Sequence, residues 1–269
     1  MDFEICGSIN IKVSDRDLYH VHTWRCRHAF DGVSDEDVVK KAIEIEAESI
    51  YFTDHGPFPG DPFGNRMRYD QLDEYLWTLD ELRRRYKDDI KIYVGLEIEY
   101  LPSYANEGYY ESLLKMPGMD FLMLGQHFAE VPPNPDDFDH DDDGPTYTFS
   151  WDKTEKYMGE YKLLADAECD GIKSGYFAVV AHPDRIFRYY KRLTNDMIER
   201  SKKIIEIADK YHVVLEKNVS SLLKDQYSIQ FWSLVPDNIK TIIGLDAHTL
   251  DMIVLPKNLS SFIKAGLKD

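Results

Sequence analysis

Seven short apolar runs, each followed by a longer amphipathic stretch, leave this chain few folds to choose from. The runs occupy 18–22, 49–53, 90–98, 121–125, 177–181, 213–216 and 241–244. Helical periodicity fills the intervals at 35–47, 71–86, 109–115, 151–169, 196–211 and 229–235, with a last stretch at 259–267. Strands buried on both faces read as such runs, and helices must carry the chain back between them. The repeat therefore predicts an α/β protein, either a barrel or an open parallel sheet. Ser34 ahead of Asp35, Glu36 and Asp37 has the form of an N-cap with acids in the first turn. One segment breaks the rhythm. Residues 131–150 are rich in Pro and Asp without apolar periodicity, and predict a long surface loop inserted in the domain. No Pro-rich linker or internal repeat divides the remainder, so residues 1–269 are read as one domain.

Charge narrows the partners. The chain carries 49 acidic and 32 basic residues, a net charge of −17. Nucleic acid draws much of its affinity from Lys and Arg on phosphates, so such a chain is not expected to bind it. No apolar run approaches the length of a membrane span. Met1-Asp2-Phe3-Glu4 lacks the basic and apolar blocks of a secretory leader. Three scattered cysteines imply no disulfide framework, and the cytoplasm is the expected location. A small substrate fits this composition. If that substrate is an anion, bound cations must reverse the local field.

The nine histidines are unevenly placed. His20 and His22 alternate at the end of the first run, where side chains two apart face one way. His28 follows in a loop. His55 ends the second run, Glu97 and Glu99 the third, and His127 follows the fourth. His182 follows the fifth, and Asp246 and His248 follow the last. In a parallel barrel all strand C-termini open on one face, which gathers residues remote in sequence. Imidazoles with carboxylates able to bridge form a ligand set for Zn, Mn or Fe. Cys26 lies between two of these positions and reads as a packed thiol. His140 and His212 fall outside the pattern and read as surface residues.

The series His20-Val21-His22-Thr23, Thr53-Asp54-His55-Gly56, Gly95-Leu96-Glu97, Gly125-Gln126-His127, Ala181-His182-Pro183 and Asp246-Ala247-His248 resembles the motif set of the polymerase and histidinol phosphatase (PHP) superfamily, from Asp17 to about Thr249. Its histidinol-phosphatase branch is the most similar, through Cys26-Arg27-His28, Asn65-Arg66-Met67, Glu97-Ile98-Glu99-Tyr100, His182-Pro183-Asp184 and Glu216-Lys217-Asn218. The resemblance implies a distorted seven-stranded (β/α) barrel with two or three divalent metal ions. His20, His22, Glu97 and Asp246 would hold the first. Glu97 would bridge to a second, completed by His127 and His182. His28, His55 and His248 would hold a third.

The implied reaction is hydrolysis of a small phosphate monoester, histidinol phosphate in this branch, by a hydroxide shared between metals. Asp246 or His248 is expected to protonate the leaving alkoxide, and Asp54 to orient a ligand imidazole. Arg185 is the first choice for gripping the phosphate, with Arg66, Arg68 and Arg27 as alternatives. Glu99, Glu216 and Asn218 are expected around the far end of the substrate. No cysteine has an Arg at the sixth following position, which removes a cysteine-dependent phosphatase of the usual spacing. Three rivals remain: a PHP phosphoesterase for nucleotides, diesters or phosphotyrosine; a non-catalytic metal-binding module; and an amidohydrolase. The last would often use a carboxylated lysine, and Lys217 is the one lysine near a strand end.

Overall fold

The computed structural model describes residues 14–132 and 145–257, together with Ile11 and Leu259. Seven parallel strands close into a barrel in the order β1 (Asp17–Val21), β2 (Ser49–His55), β3 (Lys91–Ile98), β4 (Phe121–Leu124), β7 (Phe177–Val180), β8 (Val214–Asn218) and β9 (Thr241–Ala247). The choice left open between barrel and open sheet is thus settled by the pairing of β1 with β9. Helices α1 (Asp35–Glu44), α2 (Leu72–Arg85), α3 (Pro102–Asn106), α4 (Tyr109–Leu114), α5 (Lys153–Glu155), α6 (Tyr161–Ser174), α7 (Asn195–Tyr211), α8 (Val219–Leu223) and α9 (Ile229–Trp232) connect the strands.

Local chemistry explains the ends of these elements. Ser34 accepts from the Asp37 amide while the Asp37 carboxylate accepts from the Ser34 amide, a capping box that starts α1. Thr194 accepts from Met197 N to start α7. In α2, Leu72, Tyr75, Leu76, Leu79 and Leu82 form the buried stripe against the barrel wall.

Two differences from expectation have simple causes. The stretch at 151–169 is not one helix. α5 gives way to a π turn over Lys156–Glu160, and α6 begins only at Tyr161. Glu160 is buried there with Arg188 close by, and helical periodicity alone does not register such a shift. The insertion at 131–150 is anchored at its base, where β5 (Glu130–Val131) pairs antiparallel with β6 (Thr146–Tyr147). Its Pro- and Asp-rich centre, with His140, lies outside the described residues, as do Cys6 and the expected helix at 259–267 beyond Leu259.

The barrel encloses its own small core. Tyr19, Tyr51, Phe121, Met123, Val179, Val214 and Ile242 point into the lumen, apart from the larger core between strands and helices. Tyr51 stacks on Tyr93 at 4.4 Å and meets Tyr19 at 4.6 Å between ring centroids. These rings plug the N-terminal half of the lumen. Period two then fixes what comes above them: Tyr51, Thr53, His55 on β2; Tyr93, Gly95, Glu97 on β3; Ile242, Gly244, Asp246 on β9. The glycines make room. A Cβ on Gly244 would overlap the carboxylate of Glu216, and one on Gly125 that of Glu97.

Candidate metal centre

Strand β1 does not reach the site by simple alternation. Three steps of β1 from Leu18 to Val21 oppose two of β2, and three steps of β9 from Gly244 to Ala247 oppose two of β1. Each mismatch is a bulge with one residue in the left-handed region: His20 at φ 61° and Asp246 at φ 51°. His182, just past β7, also has positive φ. Left-handed backbone at a bulky or charged residue is costly and persists where the surroundings over-determine it. His20 and His22 do converge, but the bulge turns them inward and strand alternation does not.

Glu97 stands at the centre, 1% exposed. Its two oxygens face different partners. Oε1 lies 2.8 Å from His182 Nε2 and 3.5 Å from His127 Nε2. Oε2 lies 3.0 Å from His55 Nδ1, 3.3 Å from His20 Nε2 and 3.6 Å from His22 Nε2. Asp246 Oδ1 approaches His22 Nε2 at 3.1 Å and His20 Nε2 at 3.8 Å. Farther out, His28 Nε2 and His248 Nε2 face each other at 3.0 Å, with His55 completing a third group. His55 thus stands between the outer group and Glu97. All nine expected positions meet at one end of the lumen, graded from buried His20 and His22 to exposed His28 at the mouth.

Carboxylates back several imidazoles. Glu216 accepts from His20 Nδ1 at 2.6 Å and is further held by the His182 amide and Asn218 Nδ2. Glu99 pairs with His127 Nδ1 at 3.0 Å and takes both Arg66 nitrogens of a bidentate fork. Asp54 Oδ1 stands 3.5 Å from His22 Nδ1. Such partners fix which ring nitrogen carries hydrogen and aim the other at a ligand.

Four residues expected around the substrate therefore lie deeper than that. Glu216 and Asn218 sit beneath His20, and Arg66 is committed to Glu99 within a ring of Phe58, Phe63 and Phe128. Arg185, in a turn after His182, has a buried Nε without a hydrogen-bond partner, and its charge presses on the His182 imidazole. Arg27 is exposed and lines a cavity of about 670 Å³ with Trp24, His28 and Asp31. Arg68 faces outward and pairs with Asp70.

The electrostatics ask for cations. Burial opposes ionisation of Glu97 and Asp246, yet the surrounding imidazoles hold both well below the usual carboxylate range. Burial works against a charge on His20, but Glu216, Glu97 and Asp246 keep it up at about 10. Burial presses His55 down to about 3 against the pull of Glu97, and together with His22 presses His248 to about 4. Buried Glu97 Oε2 has no hydrogen-bond partner. Ring nitrogens facing each other, and a buried carboxylate oxygen without a donor, fit divalent ions better than protons. Cys26 is buried, donates to Thr23 O at 3.2 Å, and has its sulfur in reach of His22 and His248. Sequence reading missed Arg25, whose partners Asp35 and Glu74 lie 10 and 49 positions away and leave no local spacing to detect.

The chain is a closed parallel α/β barrel whose strand ends bring together imidazoles and carboxylates that could hold metal ions. Among such barrels, the chain belongs to the PHP domain family, whose model matches residues 19–220. A Deinococcus radiodurans protein described as a histidinol-phosphatase is 24% identical over 171 residues, 61% of this chain and 59% of that protein. The histidinol-phosphatase of Bacillus subtilis is 27% identical over 118 residues, 42% of this chain and 44% of the relative. The alignments thus span less than two thirds of either relative. The fold is shared with two solved structures. One, from Listeria monocytogenes and described as the histidinol phosphatase hisK, has a TM-score of 0.70 at 17% identity, covering 91% of this chain and 99% of that one. The histidinol phosphate phosphatase of Lactococcus lactis, solved with zinc, L-histidinol and phosphate, has a TM-score of 0.61 at 21% identity and covers 93% of each chain. Among the described residues no helix is long and apolar enough to cross a membrane.

Proposed function

We propose that this chain is a metal-dependent phosphatase that hydrolyses L-histidinol phosphate to L-histidinol and phosphate, as one catalytic domain. The observation that carries the reading is Glu97, whose two oxygens each face a separate set of imidazoles. His20, His22, Glu97 and Asp246 would hold one ion, Glu97 with His127 and His182 a second, and His28, His55 and His248 a third. Divalent metal at these positions lowers the pKa of water into the neutral range and neutralises charge on phosphoryl oxygens. The chain's own residues do the rest. Arg185, near His182, with Arg27 beside His28, would grip the non-bridging oxygens. Asp246 or His248 would take the proton given up by the attacking water and pass it to the departing alkoxide. Glu216, Glu99 and Asp54 orient His20, His127 and His22, with Arg66 and Asn218 behind them. The choice of substrate is supported by the names of the relatives and by the L-histidinol and phosphate held by the Lactococcus protein.

The test is elemental analysis of the purified protein, followed by phosphate release from histidinol phosphate beside a panel of other monoesters and diesters. Bound metal with preferred turnover of histidinol phosphate is expected. Rapid turnover of a diester without histidinol phosphate would replace the substrate, and a metal-loaded protein with no phosphatase activity would remove the enzyme reading.

A further inference from the structure

Among the carboxylates behind the imidazoles, Asp54 is held in an unusual way. Glu99 and Glu216 take direct hydrogen bonds from the rings they support. Asp54 is completely buried and accepts instead from the Thr23 hydroxyl and the His55 amide, while standing 3.5 Å from His22 Nδ1. Behind Thr23 lies Arg25, a guanidinium only 1% exposed. Arg25 reaches Glu74 on α2 through Nε and Nη2 at 2.7 and 2.9 Å, and Asp35 at the start of α1 through Nη1 at 2.7 Å. Its face packs on the Trp24 ring at 4.7 Å.

Hydrogen counting at Thr23 gives this arrangement a direction. A hydroxyl has one proton and two acceptor lone pairs. Thr23 Oγ1 accepts from Arg25 Nη1 at 3.2 Å and from the Arg25 amide at 3.3 Å, so both lone pairs are engaged. Its one proton is left for Asp54 Oδ2. That occupies Oδ2, while Oδ1 accepts the His55 amide at 3.1 Å with one lone pair and has the other for His22 Nδ1. A carboxylate there favours hydrogen on Nδ1 and the lone pair on Nε2, the nitrogen that points to His20 and Asp246 at 3.1 Å each. We infer that Arg25 and Thr23 are positioning residues that set the tautomer and aim of His22 through Asp54, tying helices α1 and α2 to the metal centre. The inference rests on the proposed role of His22 as a metal ligand.

Zinc affinity, measured by competition with a chromophoric chelator, tests the relay without relying on turnover. Thr23→Val keeps the shape of the side chain and removes the proton given to Asp54. It is expected to weaken zinc binding at one site by about 10–100-fold, the usual cost of losing an outer-shell partner. Thr23→Ser is expected to restore wild-type affinity, which a purely space-filling role of Thr23 does not require. Arg25→Lys, which loses the fork on Glu74 and Asp35, is expected to fall between them. Wild-type affinity in a folded Thr23→Val protein would overturn the inference. If that variant does not fold, Asp54→Asn decides in its place, and unchanged zinc affinity there would equally overturn it. Failure of the wild-type protein to bind zinc, manganese or iron would instead strike the functional reading itself.

Discussion

The two ends of the barrel lumen are built by the same strands and could hardly differ more in chemistry. On β2, Tyr51 belongs to the lower end and His55 to the upper; on β3, Tyr93 and Glu97; on β9, Ile242 and Asp246. At the lower end, stacked rings and aliphatic side chains fill space by dispersion and by exclusion of water. At the upper end, a buried carboxylate oxygen lacks a hydrogen-bond partner, and imidazole nitrogens point at one another. The lower end packs as an aromatic and aliphatic core, whereas the upper end gathers carboxylates and imidazoles that suit added positive charge.

Substitutions at the two ends should therefore fail in different currencies. Glu97→Ala removes both faces of the proposed bridge and should have the largest effect. Metal content measured by elemental analysis should fall, and turnover should drop by at least about 10³-fold, as for members of an interdependent catalytic set. Full retention of both would erase the difference between the two ends. Tyr51→Ala, at the lower end, should cost about 3 kcal/mol of stability in denaturant titration, the scale of emptying an aromatic site, with metal stoichiometry unchanged. Loss of metal in that variant would show the two ends to be one unit. Gly244→Ala sits between them, where the added carbon would collide with Glu216. It should cost about 1–3 kcal/mol, and metal affinity should fall with it because Glu216 can no longer hold His20. The smallest effect is expected outside the ligand groups. Arg185→Ala should keep its metal and raise KM for the phosphate monoester by about tenfold, the loss of about 1.4 kcal/mol of binding.

Sequence reading reached far at the level of elements and less far at their edges. All seven barrel strands were legible as apolar runs, but β2 and β9 extend beyond 53 and 244 to His55 and Ala247. Apolar periodicity stops at the first polar residue, whereas backbone pairing continues as long as both neighbouring strands are present. Among the helices, α3 and α8 were missed because five residues are too few to show a period. The placement of Glu216 differs for another reason. Period two puts it in the lumen but not beneath His20, because its height in the lumen is fixed by the left-handed turn of another strand.

By itself, the sequence determined the number of strands, the helices that return the chain, and the imidazole and carboxylate chemistry stationed at the strand ends. These are properties of residue type and local period. Tertiary structure alone decided that β1 meets β9, that a bulge at His20 turns that side chain inward, and that Arg25 joins Asp35 and Glu74 behind Thr23. Each of these depends on the register between segments far apart in the chain. Register is set by how whole strands pack and close, and no single stretch of residues contains it.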